Sequence, residues 1–241
     1  MNNLKSTISQ VIEENLISVE WSDAVNAEVK NLKLNTNDHS RKDLTKVPFV
    51  TIDGVDAKDF DDAVFCNLND SGFLLNVAIA DVAELVNENS CLDKEAIKRG
   101  TSIYFPSKVI PMLPEKISNN LCSLVPNEIR NVLVCEINFS LDGSIKSYRF
   151  FQAKIMSHKR MTYVEVEEYI KNNNSNVSKK IKTSLDALNL LTKNLLVKRS
   201  QRKALEIEGN EPILSIDEDG KVSSINLPQR LYAHQMIEES M

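Results

Sequence analysis

Apolar and polar positions alternate differently along three stretches of the chain. Up to about residue 45, apolar residues recur at helical spacing in "STISQVIEENL" and again in "EWSDAVNAEVKNL", where Ser22 is placed to cap a second helix. The pattern predicts a polar, helical lead-in over 1–45. From "VPFVTI" (47–52) β-branched and aromatic residues take over and strands are predicted. "AVFCNL" and "FLLNVAIAD" flank "NDSG", a hairpin turn with Gly72 where a positive φ is needed. "NVLVCEINFS" and "SIKSYRFFQAKIMS" predict a second hairpin around "LDG", and "PILSIDEDGKVSSINL" a third, turning at "DEDG".

Helical spacing returns between and after these strands. "SCLDKEAIKRG" reads as a short helix with Ser90 as N-cap and Gly100 as its stop. A helix begins at Thr162, with its Thr-x-x-Glu box read as displaced by one place. A long basic helix runs from about Lys179 to Arg202, and "QRLYAHQMIEESM" forms a last one. "TSIYFP" predicts a single short strand, and "VIPMLPEKISNNLCSLVP" a long irregular connection. No glycine, proline or polar tail closes the final helix, so we expect a fragment or split product whose last helix exposes an apolar face.

Composition narrows the class. The 241 residues are 42% hydrophobic and 26% charged, as in ordinary globular proteins. No apolar run approaches the ~20 residues of a spanning helix, and the N-terminus lacks a basic start followed by an apolar core. Cys66, Cys91, Cys122 and Cys135 are widely spaced and contain no Cys-x-x-Cys pair. They read as buried free thiols in a reducing compartment, predicting a cytoplasmic protein without a membrane partner. A net charge of −5 argues against coating nucleic acid by bulk attraction, but an acidic metal site beside a local RNA groove remains compatible with it.

The charge is concentrated in "TIDGVDAKDFDDAVF" (51–65), where Asp53, Asp56, Asp59, Asp61 and Asp62 fall within ten positions. Crowded carboxylates resist ionising together unless a cation is present. An EF-hand loop does not fit the spacing. Asp-x-Asp of the haloacid-dehalogenase type follows a strand directly, whereas Asp59-Phe60-Asp61 lies beyond a loop. Zinc lacks nearby histidine or cysteine ligands apart from Cys66. Two readings remain open from the residues alone, a solvated loop and an all-oxygen site for a hard cation such as Mg²⁺. In the second, Phe60 points into the core and anchors Asp59 and Asp61, while Asp53 and Asp62 stand at the ends of the flanking strands. Four converging carboxylates would suit two ions ~3.5–4 Å apart.

"PFVTIDGVDAKDFDDAVF" resembles the motif that opens the catalytic domain of the ribonuclease II and ribonuclease R family, the RNB exoribonuclease domain. The likeness continues through "VAIADVAELV", "LDKEAIKRGTSIYFPSKVIPMLPEKISNNLCSLVP" and "CEINFSLDGSIKSYRFFQAKIMSHKRMTY". It covers about residues 41–241 and leans toward the ribonuclease R branch. We therefore expect an α+β fold over 46–241, the N-terminal part of such a domain, with a mixed or antiparallel sheet and helices against one side.

The resemblance implies a 3′-to-5′ hydrolytic exoribonuclease that uses Mg²⁺ to cut single-stranded RNA to nucleoside 5′-monophosphates. It makes Asp53, Asp59, Asp61 and Asp62 the catalytic aspartates, with Asp53 and Asp62 as metal ligands, Asp59 supporting them and Asp61 most critical for the chemical step. Asp56 is left solvated. Tyr104 matches an aromatic that stacks on the 3′-terminal bases. Tyr163 matches one near the ribose, joined by Glu238 or Glu239. His158, flanked by Lys159 and Arg160 in "SHKRMTY", and the basic helix (Lys179, Lys180, Lys182, Lys198, Arg199, Arg202, Lys203) are weaker RNA-contact candidates.

Family members also carry OB-fold RNA-binding domains and a later helical half with a catalytic arginine, none of which matches this sequence. A continuation or separate chain is expected to supply that half. The alternative is an inactive Mg²⁺- and RNA-binding remnant.

Overall fold

The structure, a computed structural model, describes residues 4–106, 108–173, 176–205, 212–217 and 221–241. Its helices are α1 (Leu4–Glu14), α2 (Asp23–Asn31), α3 (Cys91–Arg99), α4 (Tyr163–Asn172), α5 (Lys179–Gln201) and α6 (Tyr232–Glu238). Its strands are β1 (Lys42–Asp43), β2 (Phe49–Asp53), β3 (Asp62–Asn69), β4 (Gly72–Ala80), β5 (Ile103–Phe105), β6 (Lys108–Ile110), β7 (Ile129–Phe139), β8 (Ile145–Thr162), β9 (Ile213–Ile216) and β10 (Val222–Asn226). They divide into two compact units.

The first unit comprises Met1–Leu32, Val86–Lys116 and Glu206–Gln229. Here α2 packs on α3 through Val25, Val29, Leu92 and Ala96, all buried. Ser22 and Ser90 cap these helices as expected, accepting from the amides of Val25 and Asp93. Arg99 lies 3.6 Å from the Trp21 ring centroid and donates to Glu95, to Pro111 O and to Glu20 O, which joins three segments distant in sequence. "TSIYFP" is half of a hairpin, β5–β6, whose second strand falls in the expected irregular connection. A π-helical turn, Lys116–Leu121, orders more of that connection. The third hairpin forms as β9–β10, and the residues at its turn, 218–220, lie outside those described.

The second unit, Lys33–Leu85, Ile117–Leu205 and Arg230–Met241, holds a six-stranded sheet in the order β1-β8-β2-β3-β4-β7. Strands β1 and β2 run parallel to β8 and the remaining pairs are antiparallel, so the sheet is mixed. It does not remain open. Strand β8 pairs with β7 along Ile145–Met156 and with β2 along Ser157–Thr162, completing the circuit β8-β2-β3-β4-β7-β8. Ala63, Ala78, Val132, Val134 and Ala153, each fully buried, share one face of paired positions around this circuit. Small side chains suit such tight closure.

The other face, with Val50, Ile52, Val64, Cys66, Leu75 and Val77, forms one core with α4, α5 and α6. Helix α5 contributes Ile181, Leu185, Leu188 and Leu191, and Ser184 Oγ accepts from the buried Cys66 amide at 3.0 Å. The fold is therefore α+β, as expected.

Three expectations are corrected. The Thr162 capping box is intact, because Thr162 Oγ1 accepts from Glu165 N and Glu165 accepts from Thr162 N at 2.7 Å. Helix α6 does not expose an apolar face, since Ala233, Met236 and Ile237 are buried in the core shared with α4 and α5. The four free thiols are not all buried, for Cys91, at the start of α3, is exposed. Burial pushes the Cys66 thiol up to about 12 and the Cys122 thiol up to about 11. Among the described residues no helix is long and apolar enough to cross a membrane.

Candidate active site

Strand β2 ends at Asp53 and β3 opens at Asp62, so residues 54–61 form the loop between two paired strands. With Val50 opposite Val64, the antiparallel register carries Asp62 back toward the end of β2. Phe60 is buried at 7% exposure, while Asp59 and Asp61 on either side are exposed. That alternation follows from an extended segment with one apolar anchor. Asp53 and Asp62 are partly buried and Asp56 is exposed.

The loop is held by groups remote in sequence. Arg160, opposite Thr51 on β8, donates through Nη2 to Gly54 O at 2.9 Å and Val55 O at 2.6 Å. Its guanidinium lies 5.2 Å from the Phe60 ring centroid. Ser123 Oγ accepts from Phe60 N at 3.1 Å and donates to Lys58 O at 3.0 Å. The Leu124 and Ala80 amides donate to Phe60 O and Asp61 O at 2.7 and 2.8 Å. The sequence pointed to His158, which Arg160 flanks nearby, as a phosphate contact, and did not single out Ser123. The "HKR" run carried a signal for Arg160, and nothing local marks Ser123.

Electrostatics separates the aspartates. Burial, then the neighbouring Asp62 and Asp61, push Asp53 up to about 7, against the opposing field of Arg160. Burial and Asp61 push Asp62 up to about 6. Two such acids oppose each other's ionisation near neutral pH unless positive charge is added. Asp53 Oδ2 is buried and has no hydrogen-bond partner. An orphaned carboxylate oxygen within the field of further carboxylates fits a hard divalent cation, which takes oxygen donors and completes its shell with water or phosphate. Among the described residues no three histidine, cysteine or acidic side chains form a complete cation cluster. The fit is accordingly that of the Asp53–Asp62 pair rather than of a closed cage.

Tyr163 belongs to the same neighbourhood. It follows Thr162, which pairs with Asp53 across β2 and β8. Burial, then Asp53, Asp62 and Glu238, raise its hydroxyl above the usual phenol range. Its ring stacks on His234 with centroids 4.1 Å apart, a neighbour the sequence did not suggest. Of the two glutamates, Glu238 acts on Tyr163, whereas Glu239 pairs with Arg199.

The remaining candidates belong to other elements. Tyr104 is on β5 of the first unit and is 69% exposed. His158 Nε2 is hydrogen-bonded to Thr45 O at 3.0 Å. In α5, Lys179 and Lys180 are exposed, while Lys198 is paired with Asp142 and Arg199 with Glu239.

A closed mixed sheet with helices on one face and carboxylates at adjoining strand ends defines the class, an α+β domain with an acidic loop between two strands. A family model for the RNB domain matches residues 41–241, and the chain belongs to that family. Ribonuclease R of Vibrio parahaemolyticus is 42% identical over 236 residues, covering 95% of this chain and 28% of the relative. Ribonuclease R of Escherichia coli is 40% identical over 227 residues, covering 92% and 28%. The solved structure of Mycoplasma genitalium RNase R in complex with ribose methylated single-stranded RNA superposes with a TM-score of 0.94 at 36% identity. That match covers 99% of this chain and 38% of the other. The chain thus spans less than a third of the length of these curated relatives.

Proposed function

We propose that this chain carries the acidic part of the active site of a 3′-to-5′ hydrolytic exoribonuclease, which degrades single-stranded RNA to nucleoside 5′-monophosphates in the cytoplasm. The observation that carries the reading is the pair Asp53 and Asp62, with its orphaned buried oxygen, at the two ends of the loop that bears Asp59 and Asp61. The RNB match over 41–241 and the likeness to ribonuclease R supply the reaction class.

Asp53 and Asp62, supported by Asp59, would hold Mg²⁺, which would supply polarisation of a water and neutralisation of phosphate charge. Asp61, exposed beside them and fixed by its carbonyl to Ala80 N, orients the water and phosphate. Tyr163, within the field of the aspartates, sits on the ribose side, where its hydroxyl can meet the 2′-OH that distinguishes RNA from DNA. Tyr104 offers an exposed ring on which any base stacks. The first test is digestion of a 3′-labelled single-stranded RNA with Mg²⁺. The chain releases labelled nucleoside 5′-monophosphate, and Asp61→Asn lowers the rate on the order of 10²-fold or more. Equal rates for the two proteins would overturn the reading.

A second reading, binding of Mg²⁺ and RNA without turnover, is favoured by one feature. Arg160, the cation whose field reaches Asp53, has Nη2 committed to the Gly54 and Val55 carbonyls, so its hydrogen bonds hold the loop. RNA retention with Mg²⁺ but without product release would select it.

A further inference from the structure

The aspartate loop is long and short of hydrogen bonds of its own. Across residues 54–61, Ala57 N to Gly54 O, at 3.2 Å, is a contact made inside the loop. The side-chain contacts that hold it come from more than sixty positions away, beside the Leu124 and Ala80 amides on Phe60 O and Asp61 O. Ser123, 1% exposed, uses both hydrogen-bonding capacities of its hydroxyl on the loop backbone, accepting from Phe60 N and donating to Lys58 O. These two contacts bracket Asp59. Arg160 caps two consecutive carbonyls, Gly54 and Val55, directly after Asp53, and packs its guanidinium on the Phe60 ring. Its buried Nε has no partner, so the guanidinium is oriented by the loop contacts it makes.

We infer that Ser123 and Arg160 are positioning residues that clamp the loop at its two ends and set the spacing of Asp53, Asp59, Asp61 and Asp62. Arg160 fixes the chain where it leaves β2, and Ser123 fixes it around Asp59 and Phe60. A carboxylate site of this kind tolerates little looseness, because displacement of a reacting group by about 1 Å can cost ~10² in rate. The inference deepens the proposed nuclease reading, since the clamp serves the same site.

The test is hydrogen–deuterium exchange on the full 241-residue chain, comparing wild type with Ser123→Ala and Arg160→Gln. Ser123→Thr and Arg160→Lys serve as conservative controls. Loss of one buried hydrogen bond predicts about tenfold faster exchange at the Phe60 amide in Ser123→Ala. Peptides covering residues 54–61 exchange faster in Arg160→Gln, while β3, β4 and β7 keep their protection. Ser123→Thr, which retains a hydroxyl, restores slow exchange, and Arg160→Lys, which offers one ammonium for two carbonyls, restores it in part.

Unchanged loop exchange in both variants would overturn the inference. So would a uniform rise over the whole second unit, because it marks a merely structural role. A calorimetric Mg²⁺ titration of the same proteins separates this inference from the reading it rests on. Several-fold weaker uptake by the variants supports both. No uptake by wild type, with the local exchange effect intact, removes the metal reading and leaves the clamp standing.

Discussion

The turn joining β3 to β4 and the loop joining β2 to β3 flank the same strand, yet they are stabilised in opposite ways. In the first, Asn69 Oδ1 accepts from both Ser71 N and Ser71 Oγ, at 2.9 and 2.6 Å, and Gly72 closes the hairpin at φ 133°. The β7–β8 turn is held mostly the same way, with Lys198 of α5 added from outside. Asp142 accepts from the Ser140 and Ser144 hydroxyls, from Ser144 N and from Lys198, contacts that hold its carboxyl well below the usual carboxylate range. The β2–β3 loop does the reverse. Its backbone is held by Ser123 and Arg160 from other strands and turns, while its acids are pushed up to about 7 and about 6. A turn that satisfies its own carboxylate is structural. A loop that is held from outside and leaves its carboxylates dissatisfied suits the added cation of the proposed nuclease reading.

The contrast can be broken from either side. The largest stability effect is expected at Gly72→Ala, where a Cβ would stand 1.9 Å from Phe139 O on a backbone already at positive φ. A loss on the order of 3 kcal/mol follows from strain of that kind, lowering Tm by roughly 6–12 °C. An unchanged Tm would show that the turn is not closed as described.

Next comes the response to Mg²⁺. Without a cation, Asp53 keeps its proton up to about 7 in the fold, whereas unfolding returns it to 3.8. The folded state therefore binds more protons between those values, and stability falls as pH rises through that window. Mg²⁺ is expected to raise Tm clearly at about pH 8 and little at about pH 5, where the carboxyls are protonated. Asp53→Asn should flatten both the pH slope and the Mg²⁺ response in thermal melts. A rise of equal size at both pH values would indicate binding elsewhere.

The smallest effect belongs to Asp142→Asn. Its carboxyl is depressed in the fold, so its contribution is present above the ordinary carboxylate range and disappears as pH falls through the folded value. The group is fully exposed, and the change in Tm at neutral pH should stay within a few degrees and shrink with added salt. A large loss there would erase the distinction between the two kinds of turn.

Thiol labelling sharpens the same point at another site. Cys91 should react in the native protein, while Cys66 and Cys122, buried and pushed up to about 12 and about 11, react only on unfolding. Mass spectrometry after brief alkylation reads this directly.

Much of this molecule is legible in short stretches of its chain. Ser22, Ser90, Thr162 and Ser178 each cap a helix by accepting from an amide three residues on. The strand-end positions of Asp53 and Asp62, and the inward turn of Phe60 between outward acids, follow from period-two alternation. These features involve partners within a few positions, so local composition encodes them. The misread Thr162 box was equally local and is intact in the fold.

What only the tertiary structure decided depends on partners far apart in sequence. Closure of the sheet requires β8 to serve β7 with its first part and β2 with its last, which no window of residues reveals. Burial of Met236 and Ile237 depends on the surface that α4 and α5 present. The coupling of Asp53 to Asp62, and the hold of Ser123 and Arg160 on the loop between them, exist because β8 and the segment after the π turn come to rest against β2 and β3. The sequence by itself determined that these acids would lie in and beside one short loop. Long-range packing decided how far apart they stand and how hard they resist being charged together, because desolvation and Coulomb repulsion depend on distances that only the folded chain sets.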